Sequence, residues 1–124
     1  MDEKQINTYI NIQKELDSIK PKKYKLETRK IYKRYCLKVV KILIENNIQI
    51  TGVTNAKNEH LKKYAAIEME KGRKIKNIIS ELRGFAYWHT ALNHSKDYTR
   101  YTHLLDLRIL EKYLQQQQEV ENEN

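Results

Sequence analysis

Nine tyrosines, four histidines and one cysteine are the residues of this 124-residue chain whose types could carry covalent or metal chemistry. A tyrosine becomes a nucleophile only beside a positioned base or a cationic cluster. Tyr32, Tyr35, Tyr64 and Tyr87 fall instead at core or core-edge spacing, which assigns their rings to packing and their hydroxyls to the surface. Tyr98 and Tyr101 lie beside Arg100, where they are placed to stack on bases or to meet a partner. His60, His89, His94 and His103 lack metal-ligand spacing, and no cysteine or carboxylate set completes a zinc site. Cys36 stands alone, so it forms neither an internal disulfide nor a C-x-x-C pair, and its place in an apolar stripe makes it a small buried hydrophobe. Glu68, Glu70, Glu81 and Asp106 are dispersed on helices without paired-acid spacing, and there is no phosphate-cradling glycine loop. The chain is therefore read as a non-enzyme, with no catalytic residue, no metal ligand and no cofactor.

The basic residues form the stronger pattern. Lys and Arg number 24 against 16 Asp and Glu, a formal net charge of +8. Residues 20–41 hold ten of the cations against the single Glu27, a local balance of +9, and residues 57–83 add +4. Arg29, Lys30, Lys33, Arg34, Lys38 and Lys41 recur mainly at steps of three and four, which places them on the solvent side of a helix. Like charges at that spacing repel, so helix stability alone does not account for them. A polyanion does, because each phosphate contact releases condensed counterions. Lys71, Arg73, Lys74 and Lys76 form a second cluster around Gly72, where the free N–H groups of the next helix favour anions. An anionic membrane surface fits less well, since no helix joins a basic face to a wide exposed apolar one.

Elements must position these groups, and with only three glycines and one proline they are helices. The apolar spacing predicts a first helix over residues 3–19, capped by Asp2 and ended at Lys20–Pro21. A second spans residues 27–46 and stops at Asn46–Asn47, since asparagine tolerates the left-handed conformation that ends helices. Residues 48–53 read as a tucked-in loop whose Ile48, Ile50 and Val53 plug the core. A third helix opens at Thr54 or Asn55 and breaks at Gly72. The fourth, residues 74–92, is the most apolar and belongs at the centre, with Leu82, Phe85 and Trp88 as its large anchors. After a loop at residues 93–96, a fifth covers residues 102–115 with Leu104, Leu105, Leu107, Ile109, Leu110 and Leu114, closing the core or supporting a dimer. Residues 116–124, rich in Gln, Glu and Asn, are expected to be a disordered tail.

The order of these pieces resembles a known family. Thr28-Arg29-Lys30-Ile31-Tyr32 through Leu43-Ile44, then Asn46-Asn47-Ile48, then Val53-Thr54 to Tyr64, and above all the run from Gly72-Arg73-Lys74-Ile75 to Leu82-Arg83-Gly84-Phe85-Ala86-Tyr87-Trp88, resemble the core-binding, SAM-like domain of tyrosine recombinases, the phage-type integrases. Lys74-Ile75 replaces the usual Ser/Thr-rich opening, and Glu81 stands where alanine is common in that family. The resemblance covers residues 26–93, with residues 1–19 as an accessory helix and residues 94–115 as a helix on the same core. It implies an all-α bundle of four to five helices that forms the non-catalytic half of a clamp around duplex DNA. Arg29, Lys30, Lys33, Arg34, Lys38, Arg73, Lys74, Lys76 and Arg83 become the candidate DNA contacts, and Leu82, Phe85 and Trp88 packing residues. Nothing after Asn93 has the Arg, Lys, His-x-x-Arg and tyrosine arrangement of the cutting half.

The expectation is thus a cytoplasmic DNA-binding module of a recombination or mobile-element system, with no membrane partner: no apolar run is long enough to span a bilayer and the first residues lack a signal-peptide core. The alternative is a protein-interaction or regulatory module of such a system, without a nucleic-acid role, that docks or dimerises through its mildly acidic terminal helices.

Overall fold

The computed structural model describes residues 1–22, 24–95 and 107–123. Asp2 opens the chain's first helix as its type demands: its carboxylate accepts from the Gln5 N–H at 2.8 Å, and Gln5 Oε1 accepts in return from the Asp2 N–H at 3.0 Å. This reciprocal capping box satisfies two otherwise orphaned donors. The helix, α1, covers Glu3–Asp17 and buries Ile12 and Leu16. It ends before Lys20–Pro21, so the proline follows the helix rather than stopping it.

Helix α2 covers Leu26–Glu45. Asn47 adopts φ 60°, the Ile48 N–H bonds to the Leu43 carbonyl at 2.9 Å, and the Asn47 N–H bonds to Ile44 at 3.0 Å. These two bonds are a Schellman stop, the use of asparagine anticipated from its tolerance of the left-handed region. The loop that follows does plug the core, with Ile50 and Val53 buried and Ile48 packed against them.

Helix α3, Asn58–Glu70, starts later than Thr54 or Asn55. Thr54 looks like a cap in the sequence, but Glu15 of α1 claims it: the Thr54 hydroxyl donates to Glu15 at 2.8 Å, and the Val53 N–H donates to the same carboxylate at 2.7 Å. The turn into α3 is held instead by His60, whose Nδ1 accepts from the Lys57 N–H at 2.9 Å, leaving Nε2–H to reach the Gln49 carbonyl at 2.9 Å. At the far end Gly72 has φ 80°, with the Gly72 N–H on Met69 at 2.9 Å and the Arg73 N–H on Glu68 at 3.2 Å, a second Schellman stop.

Helix α4, Ile75–Ser95, runs through the residues expected to loop at 93–95. Its buried side chains Ile78, Leu82, Phe85, Trp88 and Leu92 form the spine of the core. It packs most extensively on α2, and the two run antiparallel, since Lys38, Tyr35 and Tyr32 of α2 meet Glu81, Gly84 and Tyr87 of α4 in turn. The approach is tight at Gly84, where a Cβ would lie 2.8 Å from that of Tyr35 and 3.1 Å from the Tyr32 carbonyl oxygen. Helix α1 lies antiparallel on the other side of α2: Gln5 donates to the Ile44 carbonyl at 2.9 Å near one end, and Asp17 pairs with Lys33 near the other.

Helix α5, Leu107–Glu123, packs on α3 and α4 and buries Leu110 and Leu114, so it closes the core. It continues well past residue 115, where a disordered tail is expected from composition; glutamine and glutamate are good helix formers, and their run extends the helix. The start expected at residue 102, and with it Leu104, Leu105, Tyr98, Arg100, Tyr101, His103 and Asp106, lies outside the described residues. Among the described residues every regular element is a helix, giving an all-α bundle of five, and no helix is long and apolar enough to cross a membrane.

Candidate functional site

Helices α2, α3 and α4 meet at a buried charge cluster. On α3 the buried stripe runs Leu61, Tyr64, Ala65 and then Glu68; on α4 Glu81 sits between Ile78 and Phe85. Both glutamates occupy positions that a plain amphipathic stripe gives to apolar residues, and both are almost fully buried, at 1% and 4% exposure. The turn at Gly72 folds α4 back on α3 and brings the two carboxylates to shared partners. The Tyr64 hydroxyl lies 2.9 Å from Glu81 and 3.3 Å from Glu68. Arg73 donates to Glu81 at 2.5 Å and to Glu68 at 3.1 Å. Lys38 of α2 reaches Glu81 at 2.5 Å, and Lys71 stands 3.0 Å from Glu68.

The geometry explains the ionisation of its members. Burial on its own raises the Glu68 carboxyl, but contacts with Lys71 and Arg73 outweigh that and hold it below the ordinary carboxylate value. Burial, then the hydrogen bond to Glu81 and the two negative charges, push the Tyr64 phenol far above its ordinary 10.0. The bond to Glu81 fixes Arg73 still more firmly in its charged form. The carboxylates and cations face one another, and the group acts as a cross-link among three helices. The Schellman stop contributes directly: the residue after its left-handed glycine commonly makes an apolar contact back onto the helix, and here Arg73 makes that return contact as an ion pair with Glu68.

This cluster redistributes the nine basic residues singled out in the sequence. Lys38 and Arg73 are committed to Glu81 and Glu68. Lys33 pairs with Asp17, Arg83 pairs with Glu111 of α5 at 3.0 Å, and the Arg29 guanidinium donates to the Pro21 carbonyl. Lys30, Arg34, Lys74 and Lys76 remain exposed, with no ion-pair partner among the described residues. On α2, Lys30, Arg34 and the equally exposed Lys41 fall within roughly 40° of one another at about 100° per residue, so they form one outward stripe. Lys74 and Lys76 flank the start of α4, where the Lys74 carbonyl accepts the first turn's N–H groups from Asn77 and Ile78 at 3.0 and 3.2 Å.

A second gathering of chemistry-bearing residues lies at the opposite end of the α2–α4 pair. Tyr24, from the basic connection before α2, contacts Tyr32 at 5.6 Å and Tyr87 at 5.2 Å between ring centroids; Tyr32 and Tyr87 are 5.5 Å apart, and Tyr87 meets Trp88 edge-on at 5.8 Å. The Tyr87 hydroxyl, the Trp88 indole N–H and the Arg29 Nε–H are buried without a hydrogen-bond acceptor among the described residues. Burial raises the Tyr87 phenol, with Arg29 opposing the shift and Tyr24 adding to it.

The sequence expectation placed the Tyr64 and Tyr87 hydroxyls near the surface; both are buried, one in the charge cluster and one in the aromatic cluster. It also treated Glu68 and Glu81 as dispersed, and they share Arg73. The signal was present, because each glutamate occupies a position within an apolar helical stripe. Cys36 is buried as expected, and burial followed by the Glu15 charge pushes its thiol well up. Among the described residues no group of His, Cys, Asp and Glu is arranged to hold a metal ion. Comparison of the chain with protein-family models, with curated proteins and with solved structures finds no match.

Proposed function

We propose that this bundle is a cytoplasmic, non-catalytic DNA-binding module that contacts the duplex backbone through its outward lysines and arginines. The observation that carries the reading is the sorting of the basic residues. After the internal ion pairs are formed, exposed cations remain on one stripe of α2 and at the start of α4 that make no ion pair with a carboxylate among the described residues, although Glu27 and Glu45 border the α2 stripe. Such an excess costs self-repulsion in the free protein and is relieved by phosphates, whose condensed counterions are released on binding. Lys30, Arg34, Lys74 and Lys76 are the contacts of choice, while Lys33, Lys38, Arg73 and Arg83 maintain the shape that presents them. The order of helices resembling the core-binding half of an integrase clamp supports DNA as the polymer and a recombination or mobile-element setting.

The test is titration of the purified chain with duplex DNA, single-stranded DNA and RNA across a salt series. Duplex binding that weakens steeply with salt is expected; absence of duplex affinity at low salt refutes the reading. A second reading, a docking or dimer surface on α1, has one observation behind it: Ile6 and Ile10 stand one turn apart, 42% and 39% exposed. A light-scattering mass that stays monomeric with rising concentration removes its dimeric form.

A further inference from the structure

We infer that the α2 stripe and the α4 start form one continuous strip, joined across the Glu68–Glu81 cluster, so that a single short duplex engages both at once. The inference rests on the nucleic-acid reading above and defines the extent of its binding surface.

Two relations join the groups, and the first is a shared counter-ion. Arg34 of the stripe stands one turn before Lys38, roughly 40° away around α2 at about 100° per residue. Lys38 Nζ lies 2.5 Å from one oxygen of Glu81, and the Arg73 guanidinium lies 2.5 Å from the other. Arg73 in turn immediately precedes Lys74 in the chain. The second relation is register. Lys38, Tyr35 and Tyr32 meet Glu81, Gly84 and Tyr87, so each step of three along α2 matches a step of three back along α4. Carried one turn further, that register sets Lys41 level with Ile78 and Glu45 level with Lys74. The end of the stripe at Lys41 therefore lies level with the start of α4.

The buried carboxylates give this arrangement its physical reason. Lys38, Lys71 and Arg73 repel one another when brought together alone, and Glu68 and Glu81 offset that repulsion from inside the bundle. Three cations around two carboxylates leave the cluster one positive charge in surplus. Lys71 is exposed and Lys38 and Arg73 partly so, whereas both carboxylates are buried, so a polyanion approaching from solvent meets the cations first. The exposed acids Glu27 and Glu45 border the stripe, and Glu70 adjoins Lys71. Lys30, Arg34, Lys41, Lys74 and Lys76, together with the cluster's surplus, outnumber them.

The spacing between the two groups is also set before any ligand arrives. Arg73 fixes the turn that carries Lys74, and Lys38 ties α2 to α4. Binding across the strip therefore requires little ordering, which is where preorganised sites gain affinity. At about 1.5 Å per residue, Lys30 and Lys41 are about 16 Å apart along α2, roughly the length of five base pairs.

Calorimetric titration of the full chain with a duplex of about 12 base pairs across a salt series tests this. Two variants are compared with the wild type, each at a temperature where circular dichroism shows it folded. One combines Lys30→Gln, Arg34→Gln and Lys41→Gln, and the other Lys74→Gln and Lys76→Gln. A single strip predicts no more than one duplex per chain. It also predicts a reduced slope of log K against log salt in both variants, by up to about 2.7 in the first and about 1.8 in the second. Two duplexes per chain, or the full slope retained by either variant, overturns the inference and leaves the duplex reading intact. Wild-type protein without affinity for the duplex at low salt refutes that reading and the inference with it.

Discussion

Replacing Arg73 with methionine removes the cation that Glu68 and Glu81 share, and its effect follows from the geometry. Arg73 makes two charged hydrogen bonds, at 2.5 and 3.1 Å, to carboxylates that are nearly inaccessible to water. Breaking a buried ion pair by deleting one member typically costs about 3–5 kcal/mol, because the other is left charged and unpaired. Two features place this case below that range. Lys38 and Lys71 stay in place as counter-ions, and the Arg73 side chain is 27% exposed, so water already screens part of the interaction. The expected loss is about 2–3 kcal/mol, or a fall in Tm of roughly 10 °C for a domain of this size.

The loss depends on pH with a definite sign. Glu68 is held below its ordinary 4.5 in the folded state, so the stability it contributes is present above that value and is lost as pH falls through its folded value. Arg73→Met is therefore most damaging near neutrality and progressively less so below about pH 4.5, where a protonated Glu68 carboxyl needs no cation. Urea unfolding followed by the emission of Trp88, the only tryptophan and a buried one, measures both quantities. A penalty under about 0.5 kcal/mol at neutral pH, or one that does not shrink in acid, refutes the argument that this cluster holds the three helices together.

Three further outcomes are expected. Gly84→Ala places a Cβ 2.8 Å from that of Tyr35 and forces α2 and α4 apart, costing about 1–3 kcal/mol in denaturant unfolding. Gly72→Ala meets no atom within 4 Å, so its cost is purely the left-handed backbone, about 1–2 kcal/mol, and Gly72→Asn recovers part of it; equal stability of the two variants in thermal melts contradicts that assignment. Cys36, buried with its thiol pushed up, reacts with an aromatic disulfide reagent only through opening of the bundle, so labelling is slow in buffer and accelerates with urea in step with the unfolding curve.

Much of the fold was legible because its signals are local. Asp2 caps α1, Asn47 and Gly72 end α2 and α3 in left-handed conformations, and Leu82, Phe85 and Trp88 bury as their spacing requires. The misplaced boundaries come from partners far along the chain. Thr54 carries the local signature of a helix cap, yet its hydroxyl is taken by Glu15, 39 residues earlier. The candidate site was less legible for the same reason. Counting charges located the basic segment but could not distinguish Lys30, which faces outward, from Lys38, which turns to Glu81, since that depends on how α4 packs. Glu68 and Glu81 read as dispersed because they are 13 residues apart without paired-acid spacing; their place in the buried stripes was the signal that they belong inside. The trio of Tyr24, Tyr32 and Tyr87 comes from three separate segments, and only the antiparallel register of α2 and α4 assembles it.

On the proposed reading the basic residues divide into an inner set that shapes the bundle and an outer set that meets phosphate. The salt dependence of duplex binding tests it most directly. Converting Lys30, Arg34, Lys74 and Lys76 together to glutamine is expected to leave Tm nearly unchanged and to reduce the slope of log K against log salt by about 0.9 for each phosphate no longer neutralised, up to about 3–4 in all. Converting the paired Lys33 and Arg83 should leave the slope as it was. An unchanged slope in the outer-set variant, or an equal reduction in the paired-set variant, contradicts the division.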